Sequence, residues 1–471
     1  MAKKIFIWAV VALFFTNIGH TQPNLKFWLE NDLELKKLAL ELEKSQLSNK
    51  ETKIQNGFSI QLSSGTVSFQ TNDTGSKVSF SPSGTISLPS VANLTINGSS
   101  KIQIQENINT TTDTSISISA NIFSSNELER KISLMKAQRS LLEAQRAFKE
   151  RAIESEKEFY QELKALFSNA SEIISAKNDL YDDTIAFEQI KSKGFEKSSA
   201  NYRQAQMKVL SDSHNVETKV RQLDHKIAIF ASKCGTAYKT GQNPFDFLPT
   251  SIPAVPEIDV LSFKKKDYKK IEQANWNIEL AELQIKAEKP FSLNANAGYT
   301  FENSQATSSN GKNPDTIDAG LSAGFNGINV ATGISFPINS ETKNPVYTLN
   351  VSVNPANFLT NSISKKKNEL SLEEEKVALK SALDDYETTI VDRQTELADI
   401  KWQKETNLHT YNLYSNLESD LAKYLKEGII TESEYNSSAS NKELYRIKIL
   451  MNAIDLIIFN NETKLLFCKQ N

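Results

Sequence analysis

Phe291–Glu302 reads FSLNANAGYTFE. Taken alternately, one set of side chains is Phe291, Leu293, Ala295, Ala297, Tyr299 and Phe301, and the other is Ser292, Asn294, Asn296, Gly298, Thr300 and Glu302. A period of two belongs to extended chain, so the segment is a strand with one apolar and one polar face. Tyr347–Asn354 and Ser115–Ile122 alternate in the same way. Their polar faces hold Ser, Asn, Thr and Gly with almost no charge, the composition a wet lumen needs opposite a lipid-facing stripe. An ordinary half-buried sheet alternates too, so both readings stay open at this point.

The strand has a counterpart 233 residues earlier, FSIQLSSG from Phe58. At that offset LKKL (Leu35–Leu38) falls opposite YKKI (Tyr268–Ile271). At 234, Gly194 falls opposite Gly428, Leu210 opposite Leu444, and Cys234 opposite Cys468. Several unlike features at nearly one offset indicate an internal duplication. Each half reads helix, β region, long helix, Gly-marked turn, helix. The first half is residues 23–235, with a β region at 57–123 and a turn near 194. A Pro-bearing linker follows at 236–263. The second half is 264–471, with a β region at 290–358 and a turn near 428.

Helices are predicted over Phe27–Asn56, Ser125–Ser192, Lys197–Cys234, Lys264–Lys289, Ile363–Lys426 and Thr431–Cys468. The heptad-like steps of Phe159, Leu163, Leu166 and Ile173 carry the longest of these. A run of about 65 helical residues makes a rod of about 100 Å. Asn97-Gly98 and Asn326-Gly327 are predicted hairpin turns.

The N-terminus, MAKKIFIWAVVALFFTNIGHTQ, has two Lys and then an apolar run too short to span a bilayer, so residues 1–22 read as a signal peptide. Its removal takes the net charge from −3 to about −5, which argues against a nucleic-acid partner. Beyond it no apolar run reaches the length of a membrane helix. The remaining histidines, His214, His225 and His409, lack metal-ligand spacing, and no phosphate-loop, dinucleotide or hydrolase motif is present. The chain therefore reads as a non-enzyme without cofactor or metal. Cys234 and Cys468 allow one disulfide or two free thiols.

The order of elements resembles the TolC-like outer-membrane channels of efflux pumps and type I secretion systems. The resemblance is carried by AELQIKAEKPFSLNANAGY (Ala281–Tyr299), by NIFSSNELERKISLMKAQ (Asn121–Gln138) and NFLTNSISKKKNEL (Asn357–Leu370), and by GIITESEYNSSASNKEL (Gly428–Leu444). It implies an α+β membrane protein: a homotrimer with four strands per protomer in a shared barrel, set in outer-membrane lipid. Long antiparallel helices would form a periplasmic tunnel, docked by a periplasmic adaptor and an inner-membrane transporter. Four strands cannot close a barrel, so oligomerisation follows on physical grounds as well. The β regions are longer than the resemblance requires, which leaves the strand count open.

In the family the hairpin tips touch the adaptor, which makes Gly194, Phe195, Ser198, Gly428, Ile429 and Thr431 the contact candidates. The same residues suit plain helix caps, with the glycines ending helices and Ser198 and Thr431 starting them. Acidic side chains close the tunnel in family members, so Asp420 and Glu418, repeated in a ring, are the gate candidates. A solvated acidic helix face is the other reading. The competing function is a secreted, non-membrane coiled-coil protein with a β-rich head, acting in adhesion or at the surface.

Overall fold

The computed structural model describes residues 23–72, 75–89, 91–105, 108–123, 126–288, 291–302, 315–338 and 344–468. The expected signal peptide lies outside them. Helices α1 (Pro23–Asn31) and α2 (Leu33–Gln55) precede strands β1 (Ser59–Ser63), β2 (Val67–Asn72), β3 (Gly75–Phe80), β4 (Ser83–Leu88), β5 (Leu94–Gln105) and β6 (Ile108–Phe123). Helices α3 (Asn126–Ser192), α4 (Ala200–Lys233) and α5 (Lys269–Ala287) follow. Strands β7 (Phe291–Glu302), β8 (Asp315–Phe325), β9 (Ile328–Ile338) and β10 (Val346–Val353) come next, then α6 (Pro355–Lys426) and α7 (Glu432–Leu466).

The chain divides into two compact units. One holds Leu42–Ala144 and Gln273–Ala382, and with them every strand. The strands form one antiparallel sheet in the order β1-β4-β5-β6-β7-β8-β9-β10, with β2 paired to β3 and β3 to β5. Thus β1–β2 and β3–β4 are the two arms of one long hairpin, interrupted between Ser63 and Val67. Gly65 sits in that break at φ +66°, where a Cβ would lie 1.9 Å from the Ser81 carbonyl oxygen, so only glycine fits. Counting each arm once gives eight strand columns, four from each half of the sequence. The sheet thus holds more strands than the four per protomer that the resemblance implies for the barrel: the added segments run beside the strands that join the helices and pair along them.

Two turn assignments come out differently. Asn326 (φ +46°) and Gly327 (φ +90°) make the β8–β9 turn as expected, because both central residues of such a turn need positive φ. Asn97 and Gly98, in contrast, lie inside β5, paired to β4 on one side and β6 on the other. The actual turn uses Ala92 and Asn93, at φ 47° and 46°. In the same unit Ile132 on α3 is buried against Leu283 and Ala287 on α5, with Leu128, Met135 and Leu280 around them.

The other unit holds the residues up to Glu41, Gln145–Glu272 and those from Leu383 onward. Its core joins α1, α3, α4 and α7. Phe159 is 1% exposed, with its ring 5.8 Å from Trp28, 5.2 Å from Tyr160 and 5.4 Å from Phe230. Leu223, Ile227 and Phe230 stack on one face of α4, and Ile447, Ile454 and Ile457 on one face of α7, each following the helical period. The linker residues are packed here too: Phe247 and Tyr238 join the cluster, and Asn460 binds the chain at Ile258 and Pro256.

Helix ends differ from expectation at several places, among them the helix expected from Lys264, which starts at Lys269. The first helix is broken at Asp32, whose carboxylate accepts the backbone N–H groups of Glu34 (2.9 Å) and Leu35 (3.0 Å) and so starts α2. The last long helix starts at Pro355, eight residues before Ile363, since proline has no N–H to lose at a first helical position. The helix after Gly194 is capped by Ser199 rather than Ser198.

Candidate functional site

The sheet register places like with like. One row across all eight columns is Ile60, Ile86, Ile96, Ile118, Ala297, Ala319, Ile334 and Tyr347. The row beside it, on the opposite face, is Ser59, Ser87, Thr95, Ser119, Asn296, Gly320, Gly333 and Thr348. Hydroxyl pairs such as Ser99–Ser115 (2.8 Å) and Ser68–Ser79 (2.6 Å) bond across the polar face.

On β6 and β8 exposure runs opposite to that of a sheet in a soluble protein. On β8, Ile317, Leu321 and Phe325 are exposed, whereas Thr316, Asp318, Gly320 and Ser322 are partly covered and Gly324 is buried. On β6, Ile116 and Ile118 are exposed and Ser115, Ser117 and Ser119 are not. Side chains on a concave face shelter one another, and those on a convex face splay apart. Around β6 and β8 the sheet therefore curls with its polar face inward, whereas Ser99 and Lys101 of that face on β5 are exposed.

Glycine lets that inner face stay thin. A Cβ on Gly320 would sit 2.6 Å from Asn296 Oδ1, one on Gly324 2.6 Å from Asn329 Oδ1, and one on Gly333 2.7 Å from Thr348 Oγ1. Amide and hydroxyl groups thus lie over the glycines instead of projecting inward. Sequence reading did not single these residues out; the signal available was the repeated Gly and Asn on one strand face.

The turn candidates are two separate helix junctions. Gly194 (φ +73°) and Gly428 (φ +71°) both adopt the left-handed conformation, and neither has an atom within 4 Å of a built Cβ. Ile429 N donates to Tyr424 O (3.0 Å) and Gly428 N to Leu425 O (3.1 Å), the bonding of a Schellman cap. Thr431 then opens α7 with a capping box, exchanging bonds with Glu434. Phe195 and Ile429 stand exposed beside the glycines, and Ser198 Oγ donates to Glu196 (3.1 Å).

The two gate candidates part company. Glu418 turns toward its own hairpin partner, accepting from Lys442 Nζ (2.6 Å) and Tyr435 Oη (3.4 Å) on α7. That hydrogen bond raises the Lys442 ammonium above its ordinary value. Asp420 stays exposed and, among the described residues, meets only Lys423 of its own helix, at 3.1 Å.

Cys234 and Cys468 are both thiols, not a disulfide. Burial, with Glu162 nearby, pushes the Cys234 thiol up to about 12. Among the described residues no helix is long and apolar enough to cross a membrane, and no His, Cys, Asp and Glu cluster forms a metal site.

By fold this is a mixed chain of long helices and one antiparallel sheet. By sequence, residues 25–252 match the TP096X N-terminal domain and 253–470 the TP096X C-terminal domain, so the chain is those two domains in series. No curated protein sequence matches it. Among solved structures it is similar to the outer membrane protein VceC from Vibrio cholerae, at 12% identity over 94% of each chain, with a TM-score of 0.44. The open-state MtrE outer membrane channel of Neisseria gonorrhoeae aligns at 11% identity, over 94% of this chain and 88% of that one, with a TM-score of 0.44. The CmeC outer membrane channel of Campylobacter jejuni aligns at 10%, over 95% and 86%, with a TM-score of 0.43.

Proposed function

We propose that the chain is one protomer of a TolC-like channel in the outer membrane. Three copies would enclose a water-filled barrel continued by helices into the periplasm, where a pump or secretion machine delivers cargo. One observation carries this reading: an unbroken apolar row crosses all eight columns of the sheet, and the neighbouring row on the opposite face is polar and uncharged throughout. Lipid and water are the two solvents that such a pair of faces fits. The helical junctions at Gly194 and Gly428, with exposed Phe195 and Ile429, supply a docking surface for an adaptor protein. Asp420, the exposed member of the acidic pair, supplies the charge of a cation-selective ring; Glu418 serves the hairpin instead. The conduit performs no covalent chemistry.

Cell fractionation followed by gels of heated and unheated samples tests this. The expected result is a membrane-bound oligomer that falls to monomer on boiling, and ion conductance in planar bilayers. A soluble monomer without conductance would overturn the proposal and favour the surface-protein reading.

A further inference from the structure

The reading as a ring of three copies leaves the width of the wall unsettled, because each chain carries twice the strands that the resemblance implies. We infer that all eight columns belong to one barrel wall, and that copies join edge to edge by repeating a junction already present within each chain. This inference rests on the proposed channel role and goes on to the size of its bore.

The middle columns are level with the outer ones. The β8–β9 turn lies at the helix-side rim: Phe325 pairs with Phe291 at the start of β7, Ile328 with Val353 at the end of β10, and Asn354 N donates to Gly327 O at 2.8 Å. The β4–β5 turn reaches the same rim, where Asn121 N near the end of β6 donates to Ala92 O at 2.7 Å. Strands β5, β6, β7, β8 and β9 have 12, 16, 12, 11 and 11 residues. A tilted strand needs about 9–11 to cross a bilayer. Hairpins standing above the membrane would not return to this rim, nor continue the apolar row.

Both outer edges of the sheet, β1–β2 and β10, have no strand partner among the described residues. Chain direction alternates across the eight columns, so the β10 edge of one copy meets the β1 edge of the next antiparallel. The helices beside those edges carry bare apolar side chains. Leu47 and Ile54 on α2 are 59% and 72% exposed, and Ile363, Leu370 and Val377 on α6 are 60%, 54% and 63% exposed. Their counterparts lie inside the chain. At the 233 offset Leu47 and Ile54 correspond to Leu280 and Ala287; at 235, Ile363 and Leu370 correspond to Leu128 and Met135. Those four counterparts pack together where α5 meets α3. The exposed edges therefore carry counterparts of four of the six residues of a seam that the chain already closes once, with Lys50 and Lys367 standing where that seam buries Leu283 and Ile132, and a second copy is what completes it.

Three copies then give 24 strands. At about 4.8 Å between strands and about 40° of tilt, the wall is about 48 Å across at the backbone, twice that of a 12-stranded ring. Clear of side chains the barrel is wide enough for a compact polypeptide of about 100 residues, with a radius of gyration of about 13 Å. Its cargo class is several nanometres across, and the inner face it passes is polar, with charge at Lys101, Asp113 and Asp318.

Eight single tryptophan variants test the wall, one per column: Phe69→Trp, Phe80→Trp, Ile96→Trp, Ile118→Trp, Tyr299→Trp, Leu321→Trp, Phe336→Trp and Tyr347→Trp. Gln70→Trp and Ser322→Trp probe the inner face, and Ile60→Trp or Ile334→Trp replaces any variant that does not assemble. In vesicles of brominated phosphatidylcholine, all eight added fluorophores should lose most of their emission and the two inner ones should keep it. Quenching confined to the columns that run directly into helices would overturn the eight-column wall and leave the channel role standing. Quenching at none would overturn both. Mass spectrometry of the intact complex should show three copies, and any other number would overturn the 24-strand count.

Discussion

Leu321 and Ser322 are neighbours on β8 and face opposite ways, so one charge placed at each in turn reads the two solvents separately. Leu321 is 53% exposed and sits about 14–20 Å along the strand from its ends. That places it near the middle of a hydrocarbon layer about 30 Å thick. In the proposed barrel a lysine there faces lipid, and Leu321→Lys should cost about 2–4 kcal/mol of stability, the penalty of a cation near the midplane. Ser322→Lys faces the polar concave side and should cost less than about 0.5 kcal/mol. If the convex face met water instead, an exposed Leu321→Lys would be as mild as the other change. Urea or guanidinium midpoints for the protein folded into phosphatidylcholine vesicles measure both. Equal and small losses for the two variants would refute the reasoning, and so would a larger loss at Ser322.

Four further outcomes follow from other parts of the molecule. Phe159→Ala removes a fully buried ring from the α1–α3–α4 cluster and should cost about 3–5 kcal/mol, seen as a lower melting temperature of the helical signal by circular dichroism. Asp420→Asn should weaken cation selectivity in bilayer recordings, whereas Glu418→Gln should leave selectivity alone and loosen the α6–α7 hairpin, read by hydrogen exchange around Lys442. Burial raises the Asp32 carboxyl, but the Leu35 backbone N–H and Arg151 outweigh it and hold the group below its ordinary value. A depressed acid stabilises the fold above its unfolded pKa and loses that contribution as pH falls through the folded one, so Arg151→Met should move acid unfolding to higher pH. Cys234, buried and pushed up to about 12, should resist iodoacetamide at pH 8 in the native protein and react after denaturation, as intact-mass measurement will show.

Strand faces were legible because a period of two needs no tertiary information. Phe291–Glu302 states its two sides outright, and the pairing register only aligns them. The helix core of Phe159, Leu163, Leu166 and Ile173 was legible for the same reason at the helical period. What failed was local turn chemistry in competition with pairing. Asn97-Gly98 has the dipeptide of a hairpin turn, yet Ile96 and Ser99 continue the alternation on either side and both edges of β5 are occupied. The real turn, at Ala92 and Asn93, contains no glycine and so gave no signal. The acidic pair shows a different limit. Glu418 and Asp420 look alike in sequence, two positions apart, and only the helix opposite decides that one meets Lys442 while the other stays in solvent.

The two bare sheet edges are unlike one another, one flanked by α2 and the other by α6. In the proposed ring of three, a copy spoiled at a single edge would still be accepted through its sound one, and would then stop the circle from closing. Cells making sound and spoiled chains in equal amounts would complete only about one assembly in eight from sound chains alone, given three places to fill at random. Loss-of-function changes at either margin should therefore behave as dominant alleles, whereas unfolding changes in the helical core should be recessive.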